Sequence, residues 1–187
     1  MIDLAQRFID QSRFYLQTEY RVKLRAAVEA LPADALWWRA NDQSNSVGNL
    51  LMHLAGNVRQ WIVGGVGGAP NTRDRAAEFA ANAGTGAAEL LANLERVLDE
   101  ADAVLANVSA EDLATPRMIQ GREVTVFEAT YHVVEHFSLH LGQIILVVKM
   151  HAPGSVQFYE DAGGLARPVW PEIIGQSHSP PTQRYDR

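Results

Sequence analysis

The stretch whose reading decides the fold is Thr125–Met150, TVFEATYHVVEHFSLHLGQIILVVKM. Thr125 followed three residues later by Glu128 is a capping-box pattern, in which each side chain satisfies a backbone N–H that the start of a helix leaves unpaired. Neither proline nor a run of glycines interrupts the apolar positions that follow. At about 1.5 Å per residue the segment makes a rod of roughly 39 Å, a length suited to a helical bundle.

Upstream, three more stretches carry helical periodicity. The first spans about Asp3 to Ala30, where Leu4, Phe8, Tyr15, Leu24, Ala27 and Val28 draw an apolar stripe that Pro32 ends. The second opens after Asn45 and Ser46, carries Val47, Leu50, Leu51, Leu54, Val58, Trp61 and Ile62, and is expected to stop at the glycines between Gly64 and Gly68. The third covers about Thr85 to Val108, with Leu90, Leu91, Leu94, Val97, Leu98, Ala101, Val104 and Leu105 at spacings of three and four. Ala69–Gly84 reads as a long connection with at most a turn of helix. Ser109–Val124 reads as a crossover with a short hairpin around Gln120 and Gly121. These elements predict an all-α, four-helix bundle with long crossover connections over residues 1–151. The segment 152–187, rich in proline and glycine, is expected to be an irregular tail packed on the bundle and fraying at its end. Periodicity does not order the helices around the bundle.

Composition fits that picture and narrows the partners. The chain has 187 residues, with 47% hydrophobic and 20% charged, which is ordinary for one globular domain. Lysine and arginine number 16 against 22 aspartates and glutamates, a net charge of -6 with no basic cluster. Nucleic acid and anionic membranes draw their affinity from concentrated positive charge, so neither is expected as a partner. The N-terminus lacks a signal-peptide pattern, which predicts a cytoplasmic protein. There is no cysteine, which excludes disulfides, thiolate metal sites and a cysteine nucleophile. Thiol chemistry would need a thiol from outside.

Three histidines, His132, His136 and His140, recur at every fourth position of the fourth helix. Each step of four turns only about 40° around the axis, so all three share one face, with Glu128 a further step back. Neutral imidazoles are good ligands for divalent transition metals, and two at i, i+4 suit a helical site. The outer two lie about 12 Å apart along the axis, so one cation takes two of the three. Spacing leaves the pairs His132/His136 and His136/His140 both open. His53, within the apolar run Leu50–Leu54, is the natural third ligand, although a lone histidine on an apolar face is more often a hydrogen-bonded core residue. His151 and His178 read as surface residues. Asn57, one turn after His53, is placed to hydrogen-bond a ligand or a substrate. Trp37 and Trp38 are candidates for a pocket mouth or for core anchors. Glu128, His132 and Glu135 are not placed well enough to name a general base, and Gly64–Gly68 lacks the lysine of a phosphate loop.

The run from Tyr131 to Ile144, YHVVEHFSLHLGQI, resembles the histidine signature of the DinB superfamily, the damage-inducible, YfiT-like metal-dependent enzymes. Asn45–Asn57, NSVGNLLMHLAGN, with Arg59 and Trp61, resembles that superfamily's first-ligand helix. Asn71–Arg75, with Glu78 and Phe79, resembles one uncharacterised branch of it. The likeness covers about Leu4 to Met150. It implies a four-helix bundle and a divalent metal, zinc or nickel, held by His53, His136 and His140, because Gly142–Gln143 follows His140 as in the signature. His132, Asn57 and Glu128 then become candidates for the surrounding pocket. The resemblance also implies a homodimer and a small-molecule substrate such as a low-molecular-weight thiol, with thiol transfer or hydrolysis as the reaction. The alternative is a noncatalytic metal-binding or stress-associated protein.

Overall fold

The structure, a computed structural model, describes residues 3–170. It contains α1 (Leu4–Phe14), α2 (Tyr20–Ala30), α3 (Val47–Val58), α4 (Arg75–Ala80), α5 (Ala87–Leu105) and α6 (Val126–His151). Strands β1 (Pro116–Ile119) and β2 (Arg122–Thr125) pair antiparallel, as do β3 (Tyr159–Asp161) and β4 (Ala166–Pro168). Tyr15–Glu19 and Arg59–Val66 are π-helical and prolong their neighbours without a break, so α1 with α2 forms one rod and α3 with its extension another.

The rods start where their side chains dictate. Asp3 accepts the N–H groups of Ala5 and Gln6, Ser46 and Asn49 form a capping box at α3, and Thr125 and Glu128 form the expected box at α6. At Tyr15–Glu19 the N–H of Tyr20 reaches the carbonyl of Tyr15. The wide turn stacks the two tyrosine rings at 5.2 Å, and Tyr20 stacks in turn on Phe137 of α6 at 5.8 Å.

Contacts between rods give the ring order that periodicity withholds. α2 packs on α5 and α6, and α3 packs on the same two, so the order around the bundle is α2, α6, α3, α5. Leu24, Leu54, Ile62, Leu94, Leu98 and Phe137 fill the shared interior without solvent exposure. The links from α2 to α3 and from α5 to α6 join opposite rods, whereas α3 and α5 are neighbours and their link carries α4. α6 is the one helix among the described residues long and apolar enough to cross a membrane, and here it packs as a rod of the bundle.

The second rod ends at Val66 with Gly67 as its cap, inside the glycine segment where a stop is expected; it passes Gly64 and Gly65 because Trp61, Ile62 and Val63 are all buried, and their burial outweighs a glycine cost of about 1 kcal/mol per residue. Gly65 is needed there for another reason: a side chain would collide with Ile119 at the end of β1. Gly68, at φ +80°, provides the left-handed turn after the rod. The tail is also less irregular than its composition suggests. β3 and β4 form a hairpin, and Val156, Phe158 and Trp170 are buried against the bundle. Lys23 donates to Tyr159 Oη at 2.8 Å, tying that hairpin to α2. The expected fraying at the end of the tail lies outside the described residues. Trp37 and Trp38 act as anchors: Trp37 packs on the core against Gly48, and Trp38 meets the His151 ring edge-on at 4.6 Å.

Candidate metal centre

α3 and α6 are adjacent rods, and their facing sides bring His53, His136 and His140 together. The Nε2 atoms of His53 and His136 lie 3.1 Å apart, and those of His136 and His140 3.2 Å apart. One ligand atom from each of the three fits within 4.8 Å of the others. Tetrahedral zinc with Zn–N bonds near 2.0–2.1 Å places its nitrogens about 3.3 Å apart, so the donor type and the two spacings to His136 suit such an ion. Without a cation, three ring nitrogens this close need a proton between some of them to avoid facing lone pairs.

The electrostatics favour neutral imidazoles. Burial, followed by the neighbouring His140, His53 and His132, pushes the His136 pKa down to about 3. Burial also lowers His140, only partly offset by its bond to Gln143. Both rings are therefore neutral at physiological pH, with lone pairs available to a cation. His140 Nδ1 lies 2.7 Å from Gln143 Oε1, an acceptor, which leaves Nε2 as the unprotonated nitrogen. His53 is buried, while His136 and His140 are half-buried.

The other candidates divide. Asn57 Nδ2 lies 3.3 Å from His132 Nε2, and the Trp61 ring stands 4.2 Å from the His132 ring. His132 is thus engaged beside the cluster, its ring 5.3 Å from that of His136, and burial lowers its pKa. Asn57 Oδ1 and Trp61 Nε1 in the same group are buried without a partner among the described residues. The placement of Glu128 in the pocket is corrected: its Oε2 accepts from the N–H and the hydroxyl of Thr125 at 2.7 and 2.8 Å. The cap holds Glu128 on the exposed first turn of α6.

Glu78 and Arg73, which the sequence offers only as part of the branch resemblance and without a site role, belong to the site. Glu78 Oε2 lies 3.0 Å from His53 Nδ1, and Arg73 holds the carboxylate with Nε at 2.6 Å from Oε1 and Nη2 at 2.8 Å from Oε2. Burial acts to raise the Glu78 pKa, but the bonds from Arg73 and His53 outweigh it and bring the carboxyl below its ordinary value. Asn49 docks α4 for this purpose. Its Nδ2 donates to the carbonyls of Glu78 at 2.8 Å and Ala81 at 2.7 Å, and Phe79 packs on the His53 ring at 4.8 Å. A glutamate on a six-residue helix in a polar connection gives no periodic signal. The available hint was Asp74, whose side chain caps α4 by accepting from Ala77 at 3.0 Å. A cleft of about 470 Å³ between α3, α4 and α5 is lined by Arg73 and Glu78 but by none of the three histidines.

Two solved structures share the architecture. A DinB-like protein of Bacillus subtilis, YjoA, is 20% identical with a TM-score of 0.60, over 80% of this chain and 97% of that one. A DinB-like protein of Bacillus cereus is 18% identical with a TM-score of 0.58, over 75% of this chain and 94% of that one. At this identity the likeness shows the fold. No curated protein matches the chain. Residues 3–158 match the family described as a protein of unknown function, DUF1572. The fold, the three-histidine cluster and that match agree: the chain belongs to the DinB-like family DUF1572.

Proposed function

We propose that this protein binds one divalent transition metal, zinc or nickel, through His53, His136 and His140, and that it is an enzyme using the site for thiol transfer or hydrolysis on a small molecule. The observation that supports this most is the convergence of three Nε2 atoms, two on one helix and one on its neighbour. A divalent cation held by these three neutral ligands would supply Lewis acidity that could acidify water or stabilise an external thiolate. The protein's own residues do the rest. His53 is the buried anchor, whereas His136 and His140 on α6 are half-buried. With no cysteine in the chain, a thiol takes part only as a substrate.

One observation favours a noncatalytic metal-binding or stress-associated protein: the 470 Å³ cleft does not reach the histidines. Elemental analysis of protein purified without an affinity tag, followed by zinc and nickel titration, tests the metal. About one ion per chain is expected, and no ion together with no uptake overturns the reading. Assays of the loaded protein with low-molecular-weight thiols plus electrophiles, and with ester and amide substrates, separate the two functions. Turnover that disappears in His140→Ala supports the enzyme, whereas metal binding without turnover supports the alternative.

A further inference from the structure

His53 Nδ1 has two close neighbours of opposite character, and they demand different tautomers. Glu78 Oε2 at 3.0 Å can only accept, and Arg73 Nη2 at 3.0 Å can only donate. If Nδ1 carries the proton, it donates to Glu78, and Nη2 keeps its 2.8 Å bond to Glu78 Oε2. The Nδ1–H and both carboxylate oxygens of Glu78 are then paired. If Nδ1 is bare, it accepts from Arg73 Nη2 and Nε2–H donates to His136 Nε2, 3.1 Å away, but the Nδ1 lone pair also faces Glu78 Oε2 at 3.0 Å. That arrangement sets two electron-rich atoms against each other in a buried place, where repulsion is little screened.

We infer that Glu78, clamped by Arg73, is the positioning residue that holds His53 as its Nδ1–H tautomer and so directs the Nε2 lone pair to the point shared with His136 and His140. The inference rests on the reading of those three histidines as metal ligands. Three independent features support it. The side chains of Arg73 and Glu78 are only 5% and 8% exposed, so solvent does not compete for these bonds. Both carboxylate oxygens are occupied by the guanidinium, a two-point contact that fixes the plane of the carboxylate as well as its charge. Gly56, one turn after His53 on α3, leaves room for the clamp, since any side chain there would overlap Glu78 and Arg73. His140 is treated in the same way by Gln143. Buried His53 thus receives a charged partner and half-buried His140 a neutral one, as expected of groups that orient imidazoles for a cation, while His136 Nδ1 is buried without a partner among the described residues.

Nitrogen-15 NMR of the histidine rings in the metal-free protein at pH 8 decides the tautomer directly. The expected result is Nδ1–H for His53 in the wild type. In Glu78→Gln, whose amide can donate as well as accept, that signature should weaken or reverse. Zinc affinity of Glu78→Gln, by competition with a chromophoric chelator, should fall roughly 10- to 100-fold with the helical circular dichroism retained. A merely structural salt bridge would lower thermal stability and leave the tautomer unchanged. Nε2–H in the wild type overturns the inference, as does a folded Glu78→Gln with wild-type zinc affinity. If Glu78→Gln does not fold, the wild-type spectrum alone decides. Should the wild type take up no zinc, the reading of the metal site fails, while the tautomer still reports whether Glu78 positions His53.

Discussion

Gly56→Ala is a substitution whose usual sign the structure reverses. In a helix interior, alanine in place of glycine normally stabilises by about 1 kcal/mol. Here the added methyl would stand 2.8 Å from Arg73 Nε and 2.9 Å from Glu78 Cδ, with Glu78 Oε1 nearer still. Ordinary contact begins at 3.4 Å, so the carboxylate must retreat by on the order of 1 Å. A free glutamate would swing aside at little cost, but this one is held at 3.0 Å by His53. Retreat stretches that contact to roughly 4 Å, beyond hydrogen-bond range. Losing a charge-assisted bond costs about 1.5–3 kcal/mol. Set against the helix gain, the metal-free protein should lose about 0.5–2 kcal/mol. Zinc affinity should fall about 10- to 100-fold, roughly 1.4–2.7 kcal/mol, because His53 loses its orientation. Urea unfolding of the metal-free protein and competitive zinc titration measure the two effects separately. A variant more stable than wild type, with unchanged zinc affinity, would refute the reasoning.

Ala substitution of His53, His136 or His140 should nearly abolish metal uptake, whereas His132→Ala should cost at most about 100-fold; zinc titration of the four variants, with circular dichroism as the folding control, separates the groups. The His136 pKa lies near 3 in the folded protein against an ordinary 6.5, so the unfolded chain binds the proton more tightly. The contribution of this group is therefore complete above pH 6.5 and is lost as pH falls from 6.5 towards 3. Thermal melts of the metal-free protein across that window should show a smaller decline in His136→Gln. Light scattering at micromolar concentration tests the homodimer that the family resemblance implies, for which the exposed Leu139, Leu146 and Met150 on one face of α6 offer apolar surface; a mass near 20.6 kDa counts against it.

Much of the fold was legible because local signals agreed with tertiary ones. Thr125 and Glu128 announce α6, and Gln120 and Gly121 announce the β1–β2 hairpin, where both adopt the positive φ that a tight two-residue turn requires. The passage of the second rod through Gly64 and Gly65 was not legible, because the burial of Trp61, Ile62 and Val63 that sustains it is a property of the packed bundle. In the site, helix geometry alone brought His132, His136 and His140 to one face; spacing left the pair open, the Gly142–Gln143 of the family resemblance pointed to His136 and His140, and the packing of α3 on α6 brings that pair to His53. Glu78 was hidden for a related reason. Its role comes from Asn49 and Arg73, which draw a short polar segment onto α3.

The β1–β2 hairpin has a consequence for how α3 and α6 can slide past each other. Helices that meet through repeating ridges have several near-equivalent axial settings, about 5.4 Å apart. A slip of one turn would set His53 opposite His132 and His136 instead of His136 and His140, and the spacing of the three residues tolerates either. The hairpin removes the choice. Thr125 closes β2 and begins α6, while Ile119 at the far end of β1 is seated against Gly65 at the end of the second rod. With both helices fastened to one short rigid piece, the bundle works like a ratchet with its pawl engaged, and the third histidine stays one notch away from the nitrogen of His53.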